Sequence, residues 1–232
     1  MSPVKTEVGR REENMISDPA VFVKEWQQLS LPGPAEKLSV SALDPARTAL
    51  LVIDLNRGFA EKGALYSPLS RSLLPGVAEL LTVFREKGIQ ALLFTDTHSP
   101  DSPEFLSYPP HCVKGTGEEE VCPELLAVQW GTVLPKNSTN ACLEPVFLTW
   151  LEKHDAVDTF VLVGCCTDIC VQQAALTLKT WMNRQNRNSR VIVLRDLVAT
   201  FEGPSHPAAL CGAMALQNMA QSGVEILEWG KA

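Results

Sequence analysis

Thr159-Phe-Val-Leu-Val-Gly-Cys-Cys-Thr-Asp-Ile-Cys170 is a short apolar run that breaks at a glycine and then opens a longer segment. Thr159 to Val163 is too short for a helix and rich in branched residues, which marks a buried strand. Cys170 to Asn183 carries helical spacing, and Arg190-Val-Ile-Val-Leu194 is another apolar run. Strand, helix, strand in that order is a crossover unit, and its two strands lie parallel.

The same alternation extends in both directions. Ala49 to Ile53, Ile89 to Thr95, Gly131 to Leu134 and Val224 to Leu227 read as further strands. Leu74 to Lys87 reads as a helix that Gly88 terminates, and Pro145 to His154 and Ser205 to Ser222 are helical patterns. The expectation is an α/β fold: a three-layer, doubly wound sheet, mostly parallel, with about six strands and helices on both faces. It occupies residues 47–232. Residues 1–46 read as a polar tail followed by a short helix. Asp18 caps that helix, and Val21, Phe22, Trp26 and Leu29 give it an apolar stripe. Leu31-Pro-Gly-Pro-Ala35 breaks the chain after it.

Composition narrows the function. Twenty Lys and Arg against 27 Asp and Glu give a net charge of −7, which argues against nucleic-acid and anionic-membrane partners. No apolar run reaches the length of a membrane span. The first 15 residues are polar and lack the apolar centre of a signal peptide. Seven cysteines, an odd number set mostly in apolar segments, fit reduced thiols in a cytoplasmic protein.

Open parallel sheets bind ligands at the carboxyl ends of their strands. Four strands here end in reactive residues: Asp54; Asp96 with His98; Lys136; and Gly164 to Cys170. Cys170 falls in the first turn of a helix that Thr167 or Asp168 would cap. Amide groups and the helix dipole there lower a thiol pKa and offer donors to an oxyanion. A cysteine in apolar surroundings is otherwise a small core residue, the reading that suits Cys142, Cys165, Cys166 and Cys211. Asp54 as proton acceptor and Lys136 as cation would complete an activated nucleophile. Asp96 and His98 face the same way on an extended segment, and His111 can return from the following loop, with Glu104 between. Two imidazoles with one or two carboxylates suit zinc, iron or manganese, although Asp-x-His alone is a common structural accident. His154 reads as solvated, and His206 has no evident partner.

These residues carry a likeness. Val52-Ile-Asp54 with Phe59, Val163-Gly-Cys-Cys-Thr-Asp-Ile-Cys-Val171, and Asp96-Thr-His98 with Tyr108-Pro-Pro-His111-Cys-Val-Lys-Gly-Thr116 resemble the isochorismatase-like cysteine hydrolases, nicotinamidase subfamily. The likeness covers about residues 47 to 228. It implies a catalytic triad of Asp54, Lys136 and Cys170, with the backbone N–H groups of Cys166 and Cys170 holding the oxyanion. It further implies a cis peptide at Cys165–Cys166 and a divalent metal, zinc foremost, on Asp96, His98, His111 and Glu104. Phe59, Tyr108 and Ile169 would line the pocket for a small amide. The implied reaction turns nicotinamide into nicotinic acid and ammonia through a cysteine thioester, in NAD salvage, by a self-associating enzyme. Two positions depart from the subfamily: Arg57 stands where asparagine is common, and Ile169 stands where an aromatic is common. Both are expected at the pocket wall, where they would favour another small amide. A thiol redox or metal-binding protein is the reading from a different class.

Overall fold

The computed structural model describes residues 36–229. The helix expected between Asp18 and Leu29 lies outside the described residues. Six strands form one sheet: β1 (Thr48–Ile53), β2 (Gln90–Asp96), β3 (Thr132–Lys136), β4 (Thr159–Cys165), β5 (Arg190–Ala199) and β6 (Glu225–Leu227). Their order is β3-β2-β1-β4-β5-β6, and every neighbouring pair is parallel. Among the described residues seven α-helices flank it: α1 (Arg57–Ala60), α2 (Pro68–Ser72), α3 (Leu74–Lys87), α4 (Pro123–Leu126), α5 (Pro145–Lys153), α6 (Gln172–Arg184) and α7 (Ala208–Gln221). Among the described residues no helix is long and apolar enough to cross a membrane.

All six residues of β1 are buried, because helices cover both faces of the sheet. Strand alternation divides the core in two. Leu50, Val52, Leu93 and Val161 face Val77, Leu80, Leu81 and Phe84 of α3. Leu51, Ile53, Leu92 and Leu162 belong to the opposite core, with Phe147 of α5, Leu178 of α6 and Met219 of α7. α3 matches its expected span and ends at Gly88, whose φ of 75° is the left-handed conformation that glycine adopts without strain. Fully burying a side chain such as Phe84 stabilises the fold by roughly 1.5–3 kcal/mol. Residues ahead of the strand pattern also join this body: Leu38 and Leu43 are buried, and Leu38 N–H donates to the Glu228 carbonyl.

The chain builds outward from β1 to β2 and β3, then crosses back to place β4 on the other side of β1. The direction of winding therefore changes between β1 and β4, and a crevice opens at their carboxyl ends. Gly164 makes their close approach feasible. Its φ is 116°, and a Cβ there would stand 1.9 Å from the Ile53 carbonyl oxygen. β3 is an edge strand that pairs with β2 alone, carries Pro135, and exposes Val133.

Three details differ from expectation. β5 runs on to Ala199 rather than stopping at Leu194, because a register shift opposite Leu162 and Gly164 absorbs surplus residues. The segment after β4 is capped by neither Thr167 nor Asp168. Cys166 takes the N-cap position without a side-chain bond, and Thr167–Val171 forms a wide π-type turn before α6. The last helix begins at Ala208, after a tight loop, rather than at Ser205.

Candidate active site

Asp54 follows β1 with a φ of 52°, a left-handed conformation that aspartate tolerates better than most residues. Its N–H donates to the Phe94 carbonyl at 3.0 Å. Lys136 ends β3, and its side chain is fully buried. Its Nζ lies 2.9 Å from Asp54 Oδ2 and 2.5 Å from Asp96 Oδ1, donates to the Ser138 carbonyl at 2.9 Å, and stands 3.8 Å from Cys170 Sγ. The three expected residues from three separate strand ends thus meet around one ammonium group.

The electrostatics follow from burial. Desolvation raises Asp54 to about 7, the Asp96 charge adds to this, and Lys136 and the Cys170 thiol oppose it. Asp96 is pulled the other way. Burial acts against its charge, but the Lys136 ammonium, a bond from His111 and the adjacent His98 imidazole hold it well below the usual carboxylate range. The Cys170 thiol is pushed well above its ordinary value by burial, with Lys136 opposing and the two aspartates reinforcing. This corrects the expectation that the turn's dipole lowers it. At rest the sulfur keeps its proton, and a base must remove it. Lys136 is held charged because its two carboxylates outweigh its desolvation. Two carboxylates around one ammonium leave an excess negative charge, which a proton on Asp54 or a nearby cation would balance.

The second cluster stands beside the first. Its loop is closed by backbone pairing: His98 N–H donates to Cys112 O at 3.0 Å, and Lys114 N–H donates to His98 O at 2.9 Å. This brings His111 next to His98, with ring centroids 4.8 Å apart. His111 Nδ1 donates to the Pro109 carbonyl at 2.8 Å, which turns Nε2 inward. His98 Nδ1 faces Asn137 Oδ1 at 3.1 Å, and its buried Nε2 has no hydrogen-bond partner. Asp96 Oδ2 lies 3.3 Å and 3.2 Å from the two Nε2 atoms. Donors about 2.0 Å from a tetrahedral ion stand about 3.3 Å apart, so these three fit a zinc-sized cation. Glu104 Oε1, on a short turn at Pro103–Leu106, is 3.8 Å and 3.9 Å from the same nitrogens and can complete the set.

A pocket of about 190 Å³ opens on both clusters. Phe59, Tyr108 and Ile169 line it, together with Asp54, Cys166 and Cys170. It falls below the roughly 300 Å³ at which pockets begin to take drug-sized ligands, so it suits a smaller molecule. The Cys165–Cys166 peptide is cis, and Cys166 and Cys170 both belong to the Thr167–Val171 turn region. Arg57 does not line the pocket. It pairs instead with Glu61 at 2.8 Å and Glu120 at 3.1 Å. His154 is not merely solvated: it stacks on Trp150 and donates to its carbonyl.

Several contributors were not apparent beforehand. Asn56 is fully buried, and its Nδ2 donates to the Asp96 carbonyl at 3.0 Å. Asn137 orients His98. Each is the sequence neighbour of a segment already singled out, and that adjacency was the available signal. Phe201 and Glu202, from the loop between β5 and α7, also line the pocket, and His206 in that loop meets Asp168 at 2.7 Å.

A crevice at the switch point of a parallel sheet, holding a thiol, a carboxylate and an ammonium beside a small pocket, defines an α/β protein with a candidate hydrolase site. Residues 48–230 match the Isochorismatase domain, and the chain belongs to that family. It is 30% identical to Nicotinamidase 1 of Arabidopsis thaliana over 180 residues, covering 68% of this chain and 72% of the relative. It is 27% identical to maleamate amidohydrolase of Pseudomonas putida, covering 71% of this chain and 78% of the relative. Among solved structures, the pyrazinamidase of Pyrococcus horikoshii in complex with zinc superposes with a TM-score of 0.63 at 23% identity, covering 79% of this chain and 99% of that one.

Proposed function

We propose that the protein is an amidohydrolase that converts nicotinamide to nicotinic acid and ammonia, a step of NAD salvage. The observation that carries this reading is the meeting of Asp54, Lys136 and Cys170 beside a ring-sized pocket. Asp54, raised to about 7, is matched to move protons near neutrality. It takes the Cys170 proton as sulfur attacks the amide carbonyl. Lys136 holds the charge of Asp54 in place, and the N–H groups of Cys166 and Cys170 receive the oxyanion. Asp54 returns the proton to the departing ammonia, then takes one from the water that cleaves the thioester and passes it to the Cys170 sulfur as the acid is freed. Phe59, Tyr108 and Ile169 hold the ring. Asp96, His98, His111 and Glu104 would hold a divalent metal, zinc foremost, which supplies a Lewis-acid contact for a ring nitrogen.

Ile169 at the wall and the maleamate-cleaving relative support a second reading, hydrolysis of another small amide by the same residues. Ammonia release from nicotinamide tests the first. Release by the wild type, lost in Cys170→Ala and reduced by a chelator, is the expected result. A folded, metal-loaded protein that releases none from nicotinamide but cleaves another amide replaces the first reading with the second. Thiol redox activity that survives in Asp54→Asn would remove both.

A further inference from the structure

We propose a second cation site, formed by Asp168, His206 and Cys211 on segments that also line the pocket, that takes a thiophilic divalent ion such as zinc. The three residues come from three places: the turn after β4, the loop after β5, and the first turn of α7. A carboxylate oxygen, an imidazole nitrogen and Cys211 Sγ all lie within 4.8 Å of one another.

The local pattern repeats that of His111. His206 Nδ1 donates to a backbone carbonyl in its own loop, that of Phe201, at 2.9 Å. This turns Nε2 toward Asp168 Oδ2 at 2.7 Å, as Pro109 turns His111 toward Asp96. A carbonyl on the far nitrogen is the usual way to orient an imidazole at a metal. The Phe201 ring also stacks on His206, with centroids 3.9 Å apart and planes 8° apart, so the imidazole cannot swing freely. The second oxygen of the carboxylate, Asp168 Oδ1, is buried without a hydrogen-bond partner.

The donor set selects the ion. Oxygen, nitrogen and sulfur together suit zinc or cobalt(II), whereas magnesium and calcium prefer oxygen alone. Three protein donors leave one position to water, so this site holds its ion less tightly than the four-residue cluster. Binding displaces two protons, one from His206 Nε2 and one from the Cys211 thiol, and leaves an imidazole and a thiolate on the ion. Occupancy fastens the Thr167–Val171 turn, which carries Cys170, to the loop that places Phe201 and Glu202 on the pocket wall.

Cobalt(II) titration of the purified protein tests the site. The Asp96 cluster has no sulfur donor, so a thiolate-to-cobalt charge-transfer band reports only on a cysteine-containing site, and titrations carried out in a Cys122→Ser background exclude the cluster of Glu61, Cys122 and Glu124. The expected result is a saturable band in the wild type and in Cys170→Ala, lost in Cys211→Ser and in His206→Gln. Both of those variants should bind one ion fewer per chain than the wild type by elemental analysis. Absence of the band from wild-type protein at saturating cobalt, or its persistence in Cys211→Ser, overturns the proposal and leaves Asp168 and His206 as a plain ion pair. Neither readout depends on turnover, so the site stands or falls apart from the amidase reading.

Discussion

The ends of β1 and β2 are neighbours with the same residue type and opposite electrostatics. Asp54 and Asp96 share the Lys136 ammonium, yet burial lifts Asp54 to about 7 while Asp96 is held well below the usual range. The difference lies in their other partners. Asp96 also faces two imidazoles and stays ionised, whereas Asp54 faces the charge of Asp96 and a neutral thiol. One carboxylate is therefore fit to exchange protons and the other to anchor positive charge. Environment, not residue type, divides the two roles.

Replacing the proton-exchanging member should have the largest effect. Asp54→Asn is expected to cut kcat/KM by about 10²–10⁴-fold, the usual contribution of a general base, with metal content unchanged. Loss of the metal in this variant would break the division between the two strand ends.

The pH profile comes next in size. Asp54 is protonated below about 7 and then cannot take the Cys170 proton. Where Asp54 is the base, kcat/KM should fall about tenfold per pH unit below its pKa, and a cation bound at Asp96 should move that limb to lower pH by offsetting the charge that helps to raise Asp54. An acid limb near 4 instead would mean that Asp54 behaves as an ordinary carboxylate. Stability should run in the opposite sense. The contribution of a carboxyl whose folded pKa is raised is fully present at low pH and lost as pH rises through about 7. Asp54→Asn should flatten that part of the dependence of Tm on pH.

Asn137→Ala sharpens the contrast from the other side, because it removes only the orienting acceptor of His98. Metal affinity, measured by chelator competition, should weaken by roughly 10- to 100-fold, while the acid limb at saturating metal stays in place. Arg57→Ala should do least. Its ion pairs are partly solvated, so Tm should hardly change and KM should not move. A large rise in KM would return Arg57 to the pocket wall.

Where local pattern decides structure, the sequence was readable. β1, β2 and β4 are apolar runs buried on both faces, and α3 carries its own stop signal in Gly88. The strand-end rule points to Asp54, Asp96, Lys136 and Cys170, and the structure brings all four together. The less legible parts depend on distant partners. α1, α2 and α4 have four or five residues each, too few to show a period. The extension of β5 follows a register shift against β4 that leaves no mark in either strand alone. His206 looked partnerless because Asp168 is 38 positions away in sequence. The acidity of Cys170 was misjudged because a turn's dipole is visible in sequence, whereas the burial and the two carboxylates that outweigh it arise only on folding.

Lys136 is carried by an edge strand. β3 has one neighbour, an exposed Val133 and a proline in its span, whereas β1 and β4 lie in the middle of the sheet. Edge segments open locally at lower free energy than the centre. When β3 frays, the ammonium withdraws and two buried carboxylates are left facing each other, while the interior of the sheet stays closed. If Lys136 acts as proposed, activity is lost through an opening too small to count as unfolding. On warming, activity should fade before the global transition, in step with hydrogen exchange at Leu134 and Lys136.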